Sequence, residues 1–173
     1  MCPEAEIREI FLNPGDHAFG DASTRIRTIL GSCVAVTFWH PGLRIGAMCH
    51  YLLPSRAPTL NDQTGGKYGE EIIPLIAARF RDMGLLPAAF QVKMFGGSNM
   101  FSASAPSDGL NVGGRNIQAG QAALARCGFM VANQDLAGGT NRTVVFDIGT
   151  GEVWVRQGQA AFQQACAAGG RRR

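Results

Sequence analysis

The sequence holds no membrane span, since no apolar run approaches the ~20 residues that one requires. Its first residues, Met1-Cys2-Pro3-Glu4-Ala5-Glu6, lack the basic and apolar regions of a signal peptide, so a cytoplasmic protein is expected. Charge of one sign is scarce too. The net +3 equals the three final arginines, Arg171, Arg172 and Arg173, which leaves a balanced body and a tail that reads as a solvated end. A nucleic-acid partner needs a basic patch on the folded domain, and the sequence indicates none. Five cysteines are an odd number without CxxC spacing. That argues against a disulfide scaffold or a zinc knuckle and for a reducing compartment. The glycine pairs at 96–97, 113–114 and 138–139 fit no phosphate-loop spacing and read as turns.

What is present suits a compact fold. Hydrophobic residues make up 46% of the 173 and charged ones 17%, so the chain can bury a substantial core and is not disordered. With no repeat and no dividing linker, residues 1–173 are expected to form one domain, with its core at about 7–156 and a tail at 157–173. Short apolar or alternating runs at 7–12, 25–30, 34–39, 44–53, 90–95, 129–135, 143–147 and 152–156 read as strands. Helical spacing appears at 67–83, where Gly84 supplies a stop, and at 115–127, where Gly128 does. Pro74 is tolerable only if the first helix starts shortly before it. Residues 160–168 are expected to form a short terminal helix. Many strands with two main helices imply an α/β (α+β) fold of layered sheet and helix.

Residues 28–54, TILGSCVAVTFWHPGLRIGAMCHYLLP, organise the rest. They read as a β-hairpin turning at His40-Pro41-Gly42-Leu43. With Pro41 and Gly42 as a two-residue loop, Cys33 pairs directly with His50, close enough for a thiol–imidazole contact. The same register puts Val34, Val36, Phe38, Ile45, Ala47 and Cys49 on one apolar face. Cys33, Ala35, Thr37, Trp39, Arg44, Gly46, Met48 and His50 share the other.

A thiol beside an imidazole is a candidate nucleophile and base, because an imidazolium lowers a thiol pKa and thiolate is the reactive form. Backbone N–H groups of Gly31-Ser32-Cys33 are candidate oxyanion donors, and Thr28 or Ser32 is a candidate to orient the ring. Other cysteines and histidines read as structural or incidental: Cys49 and Cys127 as core, Cys2 and Cys166 as terminal bystanders, His17 and His40 as loop and turn residues. Cys33, Cys49 and His50 make no metal site, since residues 49 and 50 point to opposite faces of a strand.

Beyond these residues, GSCVAV and GAMCHYLLP, with KYGEEIIPLI, KMFGGSNMF, GGRNIQAGQAAL and GGTNRTVVFDIGTGEVWV, resemble the chemoreceptor glutamine deamidase family CheD across about 7–156. The resemblance implies a layered fold with a Cys–His–Thr centre that deamidates glutamines of methyl-accepting receptors without cofactor or metal. Its nucleophile matches Cys33 and its histidine His50. Its threonine falls at Arg27 in an ungapped alignment to one form of the motif, and Thr28 is the adjacent match. The receptor's cytoplasmic helices are the implied partner, with a CheC-type phosphatase in some bacteria; no membrane insertion is expected. A binding module that serves a chemotaxis partner with little or no catalysis is the alternative reading.

Overall fold

The computed structural model describes residues 6–57, 65–99, 111–158 and 163–164. In chain order its elements are β1 (Arg8–Phe11), β2 (His17–Gly20), β3 (Thr24–Leu30), β4 (Val34–His40), β5 (Ile45–Tyr51), α1 (Gly69–Asp82), β6 (Gln91–Gly96), α2 (Val112–Arg126), β7 (Val131–Leu136), β8 (Arg142–Asp147), β9 (Val153–Gln157) and β10 (Gln163–Gln164). Among the described residues they build two five-stranded sheets. One runs β1-β3-β8-β9-β10 and the other β2-β5-β4-β6-β7. The β1–β3 and β6–β7 pairs are parallel and the rest antiparallel, so both sheets are mixed.

Side-chain alternation along the central hairpin explains the layering. Val34, Val36, Phe38, Ala47, Cys49 and Tyr51 face one way and pack with Ile72, Ile76 and Phe80 of α1 and Ala123 and Leu124 of α2. Ala35 and Met48 face the other way, with Phe95 of β6, and pack with Ile26, Leu30, Val144 and Phe146 of the second sheet. Helices, sheet and sheet are therefore stacked in that order around two apolar cores, as the α+β expectation requires. The face assignments read from the sequence hold.

The register within that hairpin does not. His40 pairs with Ile45 and Val34 with Tyr51, so the loop has four residues, and Ala35, not Cys33, lies opposite His50. A Pro-Gly type II turn suits the right-handed twist of paired strands poorly. The chain closes instead through Arg44 at φ 50°, whose N–H donates to the His40 carbonyl at 2.9 Å. His40 is thus no incidental residue, since its Nδ1 accepts the Leu43 N–H at 3.1 Å. The slip from the expected pairing is two residues, and a slip of two preserves every face.

Other departures are local. β2 was not foreseen; it completes the sheet edge beside β5 with only four residues. α2 begins three residues earlier than its periodicity suggests, because the Asn111 side chain caps it by accepting the Gly114 N–H at 2.8 Å. Pro74 stands at the sixth position of α1, so the helix forgoes one backbone bond there. Of the terminal helix expected at 160–168, only Gln163–Gln164 lies among the described residues, and it is a strand paired with Val155 and Trp154. Pairing to the free edge of β9 wins over helical propensity at that point. Cys2, Cys166 and the arginine tail lie outside the described residues.

Candidate active site

The chain passes from one sheet to the other through Gly31-Ser32-Cys33, between β3 and β4. His50 sits near the end of β5 and Thr28 near the end of β3. Residues of β3 alternate buried and exposed, with Thr24, Ile26, Thr28 and Leu30 turned inward and Arg27 and Ile29 outward. That parity separates two adjacent candidates. Arg27 lies outside with its guanidinium over the Phe11 ring, 5.6 Å from the centroid, whereas Thr28 is fully buried between the sheets.

Thr28 Oγ1 lies 2.7 Å from His50 Nδ1 and 2.8 Å from the Leu12 carbonyl oxygen. A threonine hydroxyl has one proton to donate. Given to the Leu12 carbonyl, it leaves Oγ1 as acceptor, so Nδ1 carries the imidazole hydrogen and donates to Thr28. The free lone pair then sits on Nε2, which is buried and has no hydrogen-bond partner among the described residues. An imidazole held in this tautomer is set up to accept a proton at Nε2. Ser32, the other candidate for orienting the ring, is not bonded to it; its carbonyl binds elsewhere. The backbone of His50 is fixed as well, with its N–H donating to the Asp16 carbonyl at 2.9 Å and its carbonyl accepting the Gly15 N–H at 2.8 Å.

Electrostatics favour a neutral pair. Burial pushes the His50 pKa down to about 4, against a smaller upward pull from the Leu12 carbonyl and the Asp16 charge. Burial also raises the Cys33 thiol, partly offset by its own backbone N–H. Both shifts run against the thiolate–imidazolium pair expected from the sequence. The thiol makes no hydrogen bond to Nε2 here, and such bonds commonly tighten only around substrate.

The turn that carries Cys33 is tied in an unusual pattern. The Gly31 carbonyl accepts the Ser98 N–H at 2.9 Å and the Cys33 carbonyl accepts the Gly97 N–H at 2.8 Å. Between them the Ser32 carbonyl accepts Asn116 Nδ2 at 3.0 Å. Gly96 makes this approach possible, because a Cβ there would stand 2.2 Å from the Cys33 carbonyl oxygen, and its φ of 105° suits only glycine. All three carbonyls are thus occupied, while the N–H groups of residues 31 and 32 make no backbone hydrogen bond among the described residues and that of Cys33 meets only its own thiol. They are free to hold an anionic oxygen.

Sequence reasoning passed over two supports of this turn. Asn116 is one; it lies at the start of the helix expected at 115–127 and is wholly buried on α2. The other is Ser98, which is buried beside Arg142 and bonded to the Thr140 carbonyl at 2.6 Å. Both lie in motifs with glycines next to polar residues, a signal of close backbone approach. Cys49 faces the helix-side core, where burial pushes its thiol up to about 12. Cys127 packs against the same core.

The chain matches the family model described as CheD chemotactic sensory transduction over residues 52–157. It is 41% identical over 152 residues to a probable chemoreceptor glutamine deamidase CheD 1 of Chromobacterium violaceum, covering 88% of this chain and 79% of that one. A probable chemoreceptor glutamine deamidase CheD 2 of Albidiferax ferrireducens is 43% identical, covering 86% and 87%. A third such protein, from Pseudomonas fluorescens, is 38% identical, covering 94% and 96%. The family model begins after Cys33 and His50, but these longer alignments span the positions of both.

Proposed function

This chain belongs to the CheD family, and from that premise we propose that it is a chemoreceptor glutamine deamidase whose nucleophile is Cys33 and whose base is His50. The observation that supports these roles best is the bare, buried Nε2 of an imidazole whose other nitrogen is bonded to Thr28.

The chemistry follows from a neutral pair. His50 Nε2 takes the Cys33 proton as sulfur attacks the side-chain amide carbon of a receptor glutamine. The oxygen gains negative charge in the tetrahedral intermediate, and the free N–H groups of residues 31–33 stabilise it. The carbon–nitrogen bond breaks as His50 returns its proton to nitrogen, releasing ammonia and leaving a thioester on Cys33. Water then attacks the thioester and gives a proton to His50. The carbon–sulfur bond breaks, glutamate departs, and His50 returns its proton to the leaving sulfur, which restores the thiol and the neutral imidazole. Thr28 holds the ring in the needed tautomer throughout. Each turnover adds one negative charge to a receptor helix and creates a site able to accept a methyl group.

No metal or cofactor takes part in this scheme. The receptor's cytoplasmic helices are the substrate, which makes the cytoplasm the place of action. Regulation by a CheC-type phosphatase is a further part of the proposal, carried by the family resemblance alone. The reading of a binding module without catalysis is not favoured, since the relatives bear deamidase names. Incubating the protein with a receptor cytoplasmic fragment and mapping amide-to-acid conversion by mass spectrometry tests the proposal. Conversion abolished by Cys33→Ala supports it; conversion undiminished by that substitution overturns the nucleophile.

A further inference from the structure

The β4–β5 ladder ends at Val34 and Tyr51, one rung short of Cys33 and Leu52. At that missing rung a helix side chain intervenes. Asn116 Nδ2 donates to the Ser32 carbonyl at 3.0 Å and to the Leu52 carbonyl at 2.7 Å. One amide thus joins the residue before the thiol to the residue two beyond the imidazole. The assignment of nitrogen and oxygen is fixed by those two acceptors, because a reversed amide would set oxygen against both.

The helix is seated to make this bridge. Tyr51 Oη donates to the Asn116 carbonyl at 2.7 Å. One turn on, a Cβ at Gly120 would lie 2.1 Å from that same oxygen, so only glycine admits the approach. Asn116 is wholly buried, and its Oδ1 has no partner among the described residues. A buried asparagine that spends both donor hydrogens on two strand ends, and leaves its acceptor unmet, is placed for those two bonds.

We propose that Asn116 is a positioning residue that sets the Cys33 turn against the His50 strand, an inference that rests on the deamidase reading above. Where the ladder stops, the spacing of thiol and imidazole is not fixed by strand pairing. The Gly97 and Ser98 N–H groups tie the turn to the β6 side, and among the described residues the side chain of α2 alone ties it to the His50 side. Loss of the bridge lets the turn move relative to Nε2, and a displacement near 1 Å costs a reaction about a hundredfold. Substrate binding does not use this buried amide, so KM is expected to change little.

The test compares Asn116→Ala with Leu124→Ala, a buried residue of the same helix that packs only with the helix-side core. Melting temperature, kcat, KM and the iodoacetamide alkylation rate of the Cys33 peptide are measured well below each melting point. Asn116→Ala is expected to lose at least about tenfold in kcat, with KM within about twofold, and to alkylate several-fold more slowly. Leu124→Ala is expected to lose stability while keeping both rates. Asn116→Ser, which retains one donor, is expected to fall between, and it carries the test if the alanine variant does not fold. Asn116→Ala with wild-type kcat, or with a loss no larger than that of Leu124→Ala, overturns the bridge. Failure of the wild type to convert receptor glutamines overturns the deamidase reading instead. The alkylation rates then still decide, since equal rates in wild type and Asn116→Ala overturn the positioning role.

Discussion

Thr28 Oγ1 stands between two partners, the Leu12 carbonyl at 2.8 Å and His50 Nδ1 at 2.7 Å, and so determines which imidazole nitrogen is free. Thr28→Val keeps the shape and removes that link. It leaves a buried N–H and a buried carbonyl unsatisfied, at a cost of about 1–3 kcal/mol. The ring also loses its tautomer preference, so kcat is expected to fall by about 10²-fold. Thr28→Ser restores most of both. Denaturant unfolding and steady-state kinetics check the two effects separately.

A depressed histidine pKa makes both stability and activity depend on acid. The unfolded imidazole titrates near 6.5 and the folded one near about 4. Between those values the unfolded state binds more protons, so stability is full above about 6.5 and falls as pH drops toward 4. His50→Gln is expected to flatten that part of the stability–pH curve. The acid limb of kcat/KM is expected closer to 4 than to 6.5, because the free enzyme keeps its base neutral.

Cysteine reactivity should divide by position. Cys33 is partly exposed and has a base nearby, while Cys49 is fully buried with its thiol pushed up to about 12. Native protein treated with iodoacetamide at neutral pH is expected to be labelled at Cys33 and left unmodified at Cys49. Peptide mapping reads this directly, and His50→Gln is expected to slow the Cys33 label.

Gly120→Ala sets two effects against each other. Alanine gains about 1 kcal/mol of helix propensity over glycine. Its Cβ, however, would meet Tyr51 Oη at 2.1 Å, and this oxygen is held by the Asn116 carbonyl. Overpacking costs about 1–3 kcal/mol, so net destabilisation is expected, with a lower melting temperature. A melting temperature equal to or above that of wild type contradicts this packing.

The layers and the faces of the hairpin were legible in the sequence because alternation has period two, and a two-residue slip leaves it intact. The direct pairing of Cys33 with His50 was not. It depended on the turn at residues 41–44, where Arg44 takes a left-handed conformation that no rule for Pro-Gly anticipates. Thr28 was a candidate on chemistry and resemblance, and strand parity distinguishes it from Arg27 only once burial is known. The bridging role of Asn116 was not legible, since its two partners lie 64 and 84 residues away. The downward pull of burial on the His50 pKa also escaped the sequence, because the depth of His50 between two sheets is a property of packing.

The most direct test is receptor deamidation by wild type and Cys33→Ala, side by side, followed by mass spectrometry of each receptor glutamine. Wild type is expected to add about 1 Da at selected glutamines as amide becomes acid, and Cys33→Ala to add none. Equal conversion by both proteins contradicts the central claim.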